Sequence, residues 1–247
     1  MDIEITPSEP KAKSSDTVRG RTGTGIYGDG TYLVKHPTWH EEDSRFKASK
    51  VLKMFRRNRM TPSRVCEVGC GAGGILVELT AHLPQTVAVG YEISPQAYAL
   101  CAGKAGGKLE FRLADIFDSK DRYDVVMAID VFEHVEDYIG FLRKLKPYGR
   151  FQLFHIPLDI NVQTVLRASP LRKLREEVGH LHYFTKETAL RTLETAGYRI
   201  LDWFYSEPGR KRPLSKIAYV PRKIALALNQ DLAVRFLGGC SMMVLCE

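Results

Sequence analysis

The chain has 247 residues, with 36 Lys and Arg against 29 Asp and Glu, a formal net charge of +7 and a pI near 9.1. Hydrophobic residues at 44% and charged residues at 26% are the balance of a globular chain with enough apolar surface for a core, which excludes a fibrous or disordered polypeptide. No apolar stretch approaches the ~20 residues needed to cross a bilayer. The five cysteines have neither zinc-ligand nor disulfide spacing and read as reduced thiols packed as small hydrophobes, in keeping with a cytoplasmic protein.

In chain order, residues 1–25 are polar and read as a frayed terminus, with acids and polar residues where a signal peptide carries bases and an apolar run. Residues 26–61 form a second unit. Tyr27, Tyr32, His36, Trp39 and His40 bring aromatics and imidazoles, and Glu41–Arg57 has apolar positions at Phe46, Val51, Leu52 and Phe55 that predict an amphipathic helix.

Residues 62–247 form the main domain. Val65–Val68 predicts a buried strand, Gly69-Cys-Gly71-Ala-Gly73-Gly74 a tight turn, and Ile75 onward a helix. Gly69, Gly71 and Gly74 satisfy the dinucleotide spacing G-x-G-x-x-G, whereas Glu67, Gly69, Gly71 and Gly73 satisfy E-x-G-x-G-x-G. Glu67 argues for the second reading, because a carboxylate there repels a pyrophosphate and attracts a cation. Thr86–Glu92 predicts a second strand whose terminal acid can accept both ribose hydroxyls of an adenosine, with Ile93 beside it and Ser94-Pro95 opening a helix. Leu109–Asp115 predicts a third strand followed by Ile116. Tyr123–Asp130 predicts a fourth, continuous and apolar like a central parallel strand, running into Val131-Phe-Glu133-His134-Val135.

These motifs resemble those of class I S-adenosylmethionine-dependent methyltransferases, with specific matches over roughly residues 62–157. The resemblance implies an α/β, Rossmann-like, doubly wound seven-stranded mixed sheet with an antiparallel last strand and an N-terminal helical lid. It implies that Glu67, Gly69, Gly71 and Gly73 hold the methionine end of the cofactor, Glu92 the ribose, and Asp115 with Ile116 the adenine. Ile93 and Asp130 are expected to touch the cofactor as well. It also orders the remaining strands as Arg150–Pro157, Tyr198–Tyr205 and Ser241–Cys246, the last inserting between the other two. In such a lid Trp39 and His40 line the acceptor pocket or, alternatively, anchor the helix to the sheet. His180, His182 and Tyr183 lie in the linker that walls the pocket.

If the acceptor is a hydroxyl, a group near neutral pKa must take its proton, and His134 and His155 follow the fourth strand and end the fifth on the carboxyl edge of the sheet. Asp130-Val-Phe-Glu133-His134 also resembles the Mg²⁺-binding Glu-x-x-Glu-His of ubiquinone-pathway O-methyltransferases and small-RNA 2′-O-methyltransferases. The shorter first acid argues against a metal. The expected acceptor is a small molecule, a sugar or a lipid-linked intermediate, modified at oxygen. The rivals are an RNA 2′-O-methyltransferase, a quinone-pathway O-methyltransferase and a non-catalytic cofactor-binding protein.

A basic helical insertion at about 208–238 has seven Lys or Arg between Pro208 and Arg235 against the single acid Asp231. Residues Arg222–Phe236 read as one surface helix. It either covers the sheet with a solvated basic face or makes peripheral contact with an anionic membrane. Nucleic acid is the less favoured anionic partner, because no RNA-binding module is recognisable.

Overall fold

A computed structural model describes residues 31–207 and 216–247. The polar terminus at 1–25 and the Arg210–Arg212 run lie outside the described residues.

The strands are β1 (Arg64–Val68), β2 (Val87–Glu92), β3 (Leu109–Leu113), β4 (Tyr123–Ile129), β5 (Gly149–Pro157), β6 (Ile200–Ser206) and β7 (Ser241–Cys246). They form one sheet in the order 3-2-1-4-5-7-6, with β7 antiparallel to both β5 and β6 and the other pairings parallel, as expected. β4 reads as an unbroken apolar run because helices cover both faces, so Val125, Val126, Met127 and Ala128 are all fully buried. Reversal of order between β1 and β4 opens a crevice beyond the carboxyl ends of the strands, where α/β sheets bind ligands.

The helices are α1 (Thr31–Lys35), α2 (Ser44–Arg57), α3 (Gly74–His82), α4 (Pro95–Cys101), α5 (Tyr138–Leu145), α6 (Val162–Arg167), α7 (Ser169–Lys173), α8 (Lys186–Thr195), α9 (Lys216–Leu228) and α10 (Gln230–Leu237). Residues of α2, α3 and α4 build one core around Val51, Met54, Leu76 and Leu79. Residues of α5, α8, α9 and α10 build the other around Phe132, Phe154, Leu142 and Leu193. Their starts are written locally. Ser94 Oγ accepts from Ala97 N–H, Asp137 Oδ1 from Gly140 N–H at 2.8 Å, and Thr185 and Thr188 cap α8 reciprocally.

Three elements differ from expectation. The helix expected from Glu41 starts at Ser44 after a single tight turn at Glu41–Asp43, and Phe46 is only half-buried. The helix expected over Arg222–Phe236 is two, because the Asn229 side chain accepts from Leu232 N–H at 3.0 Å and so starts α10 afresh. Between β5 and the linker, where the sequence shows no clear period, lie α6, α7 and a wide helical turn at Leu174–Val178.

Gly73 caps α3 with φ +76°, and an added Cβ would sit 2.5 Å from Phe111 and 2.8 Å from Cys101, both in the core. Gly73→Ala is therefore expected to destabilise the protein by about 1–3 kcal/mol through overpacking and positive-φ strain. A thermal midpoint equal to that of the parent would refute this account of the turn.

Candidate active site

The carboxyl ends of β1, β2, β4 and β5, the glycine turn and α2 enclose a cavity of about 1470 Å³. A pocket for one drug-sized ligand holds roughly 300–1,000 Å³, so there is room for two ligands side by side. Gly69, Gly71 and Gly73 all take positive φ, between +55° and +76°, and leave backbone rather than side chain facing the cavity. Trp39 lies against Gly71, where a Cβ would meet its indole at 2.8 Å. The segment before α2 therefore covers the turn directly. Lys35 and His36 fasten it across the opening, on the backbone carbonyls of Glu176 and Glu177, at 3.2 Å each.

The floor is acidic. Glu67 ends fully buried beneath the turn, and its Oε2 has no hydrogen-bond partner. Burial pushes its carboxyl up to about 8, against the pull of the Lys47 charge. Glu92, at the tip of β2, accepts from Gly71 N–H and Ser94 N–H at 2.8 Å each; burial still raises its pKa. Asp130, just past β4, has φ +55°, a conformation that Asp tolerates better than most residues. It accepts from Lys47 Nζ at 2.8 Å and from His155 Nδ1 at 2.6 Å. Burial works against its charge, but His155 and Lys47 hold Asp130 ionised, well below the usual carboxylate range. His155 is buried and its Nε2 has no partner, although the residue lines the cavity.

A second cluster stands beside the first. Glu133 is fully buried with both carboxylate oxygens unpartnered, and burial, then the Asp130 charge, drives its pKa well up. Its Oε1 is 3.9 Å from His134 Nε2, and one ligand atom each from Glu133, His134 and His180 lie within 4.8 Å of one another. His134 Nδ1 donates to the Gly179 carbonyl at 3.1 Å, and His180 Nδ1 donates to Asp159 at 2.7 Å, which orients both rings. Burial, then His180, lowers the His134 pKa to about 4, so this imidazole is neutral at physiological pH.

The cavity thus gathers Glu67, Gly69, Gly71, Gly73, Glu92, Ile93, Asp130, Trp39, His40, His134, His155 and His180. Four expected residues stand elsewhere. Asp115 caps the turn after β3 by accepting from Phe117 N–H at 3.0 Å, and Ile116 is packed in the core. His182 bonds the Val135 carbonyl and stacks on Tyr138, and Tyr183 donates to the Leu171 carbonyl, so both secure the linker. The metal set considered as Asp130, Glu133 and His134 is also altered: Lys47 and His155 occupy Asp130, and His180 takes its place in the cluster.

Two residues were missed. Lys47 had a signal, since it stands one turn before Val51 on the buried stripe of α2, where a lysine is out of place without a partner. Asp159 had none; only the fold sets it against His180.

A profile described as a methyltransferase domain matches residues 39–202. Over 99 residues the chain is 35% identical to a ubiquinone biosynthesis O-methyltransferase of Bradyrhizobium sp. (strain ORS 278), covering 37% of this chain and 39% of that protein. Over 137 residues it is 30% identical to the cyclopropane-fatty-acyl-phospholipid synthase of Escherichia coli (strain K12), covering 50% of this chain and 36% of that one. The chain thus spans about two fifths of the length of these relatives. Among solved structures, the magnesium protoporphyrin IX methyltransferase of Synechocystis PCC 6803 with bound SAH aligns over 90% of both chains, with a TM-score of 0.57 and 17% identity. The N-methyltransferase NodS of Bradyrhizobium japonicum WM9 aligns over 88% of this chain and 98% of its own, with a TM-score of 0.56 and 15% identity. At such identities the two structures speak for the fold alone.

Proposed function

The chain belongs to the methyltransferase-domain family, and on that premise we propose that it transfers the methyl group of S-adenosylmethionine to an oxygen of a small-molecule acceptor. The observation that carries the reading is the buried, unpartnered carboxyl of Glu67 on the cavity floor. Glu67, Glu92 and Asp130 converge under the glycine turn, and Glu67 keeps a buried oxygen with no protein partner. A ligand ammonium draws such a carboxyl back to its ionised form, whereas a dinucleotide pyrophosphate brings no cation to pair with it. The cofactor, when bound, supplies a methyl group already activated on a sulfonium.

The residues present fit it. Glu67 accepts from its ammonium, and Glu92, fixed by two backbone N–H groups, keeps lone pairs for the ribose hydroxyls. The uncapped N–H groups at the start of α3 suit its carboxylate. His155 carries its proton on Nδ1 toward Asp130, which leaves the Nε2 lone pair to take the acceptor's hydroxyl proton. Trp39 and His40 close the cavity and exclude water, so that much of the acceleration is positional. The similarity to ubiquinone biosynthesis O-methyltransferases supports oxygen as the receiving atom.

Calorimetric titration with S-adenosylmethionine, its demethylated product and NAD⁺ tests the reading. Binding of the first two without NAD⁺ is expected; binding of NAD⁺ alone would overturn it.

The unpartnered Glu133 carboxylate favours a second reading, in which a divalent cation polarises the acceptor oxygen. Glu133, His134 and His180 would hold it, with Asp159 behind His180. Two imidazoles and one carboxylate suit a first-row transition ion better than Mg²⁺, which prefers oxygen ligands. On this reading EDTA abolishes turnover, and Mn²⁺ or Zn²⁺ restores it better than Mg²⁺; turnover indifferent to EDTA would leave the His155–Asp130 dyad alone as the acceptor's base.

A further inference from the structure

Helix α10 packs against both α6 and α9, and the three carry apolar side chains that the core does not use. Leu166 is 81% exposed and Leu228 82%, while Val165, Ile224, Leu232 and Phe236 are each more than half exposed. Single exposed apolar residues are ordinary on a globular surface; six large ones on three adjoining helices are not. Ile224 and Leu228 stand four residues apart on α9, and Leu232 and Phe236 four apart on α10, one exposed apolar pair on each helix either side of the Asn229 break. The buried faces of α9 and α10 are formed by other residues, Leu226, Ala233 and Val234, so these pairs are surplus to folding.

Bases follow Leu166 in the same segment of the chain. Arg167 ends α6, Lys173 ends α7 and Arg175 follows; all three are exposed, and no ion pair among the described residues engages them. The chain as a whole carries +7. Thr164, Pro170 and Lys173 of the same segment line the cavity, so α6 contributes to both the cavity and the patch.

We propose that this face of α6, α9 and α10 docks on a bilayer surface bearing anionic headgroups, and that the cavity draws a lipid-soluble acceptor from there. The apolar residues enter the headgroup boundary while the bases meet the phosphates, the arrangement of an interfacial helix. An interface with a second copy of the chain is disfavoured, because unpaired bases sit beside the apolar residues, whereas the core of a protein interface is depleted of charge. The statement about the acceptor rests on the proposed methyl transfer; the docking does not.

The test is co-sedimentation of the full chain with vesicles of phosphatidylcholine alone and of phosphatidylcholine mixed with phosphatidylglycerol. Binding to the mixed vesicles only is expected. Leu228→Glu and Phe236→Glu, both at exposed positions, should abolish it, and Arg167→Gln and Arg175→Gln should each weaken it about fivefold. Calorimetry with the demethylated cofactor is run on the same preparations and should be unchanged in every variant. Failure to sediment with mixed vesicles while the cofactor still binds would overturn the docking and leave the methyl transfer standing. Sedimentation by all variants alike would also overturn it, as would a dimer that Leu228→Glu dissociates. Vesicle binding by a protein that binds no cofactor would remove the methyl transfer, and with it the acceptor class, but keep the docking surface.

Discussion

Binding of S-adenosylmethionine or its demethylated product near pH 7 is expected to release close to one proton. In the free protein burial lifts the Glu67 carboxyl to about 8, so it is mostly protonated at neutral pH. A ligand ammonium placed on its unpartnered Oε2 draws it back to the ionised form. Affinity should therefore rise with pH below 8, by up to about tenfold per unit while one proton is lost on binding. Calorimetry in two buffers of different ionisation enthalpy counts the proton directly. Glu67→Gln should abolish the release, flatten the pH dependence and weaken binding by about 1.5–3 kcal/mol, the worth of a charged hydrogen bond. Proton release unchanged in the variant would place the ammonium elsewhere.

The same residue sets a stability trend. A carboxyl whose folded pKa lies above its ordinary 4.5 binds more protons in the native state than in the unfolded one between the two values. Stability of the ligand-free protein should therefore fall as pH rises from about 4.5 towards 8, by at most about 1.4 kcal/mol per pH unit for one such group. Glu133 shifts in the same direction and adds to the slope. Glu67→Gln should remove its own share, which thermal unfolding at stepped pH would reveal.

The second large effect is expected at the Asp130–His155 pair. If His155 Nε2 takes the acceptor's proton, His155→Ala should lower kcat by about 10²–10⁴-fold, the usual range for a general base, while affinity for the cofactor product stays near that of the parent. Asp130→Asn should lower kcat as well, because an amide no longer fixes the proton on Nδ1. It should also cost about 1.5–3 kcal/mol of stability, since the half-buried Lys47 loses a charged hydrogen bond. Lys47→Met separates the two effects, for it removes the charge and leaves the Asp130–His155 hydrogen bond. A parental kcat in His155→Ala would shift the acceptor's activation to Glu133, His134 and His180.

Much of the cofactor side of this site was legible in the chain because its residues are tied to local structure. Glu67 and Glu92 end strands, and glycines at 69, 71 and 73 must turn the chain at positive φ, so order along the sequence fixes their place in space. Asp115 follows a strand in the same way, but one of its carboxylate oxygens caps the next turn and the residue does not line the cavity, a placement set by the backbone two residues on. The break at Asn229 is another local choice, between continuing a helix and capping a new one.

The acceptor side was written less plainly, since its contacts join distant segments. Lys47 reaches Asp130 only because α2 packs over the sheet, and His180 meets Glu133 and His134 only because the linker folds back on them, with Leu181 and His182 N–H bonded to the Glu133 carbonyl. The sequence by itself determined the strands, the glycine turn and the acids beneath it, through period, strand ends and backbone freedom, while the order of the strands in the sheet followed from the family resemblance. Tertiary structure alone decided which buried carboxyl groups found hydrogen-bond partners and which, like Glu67 Oε2 and both oxygens of Glu133, were left without one, because desolvation and pairing depend on what packs nearby and not on what is adjacent in the chain.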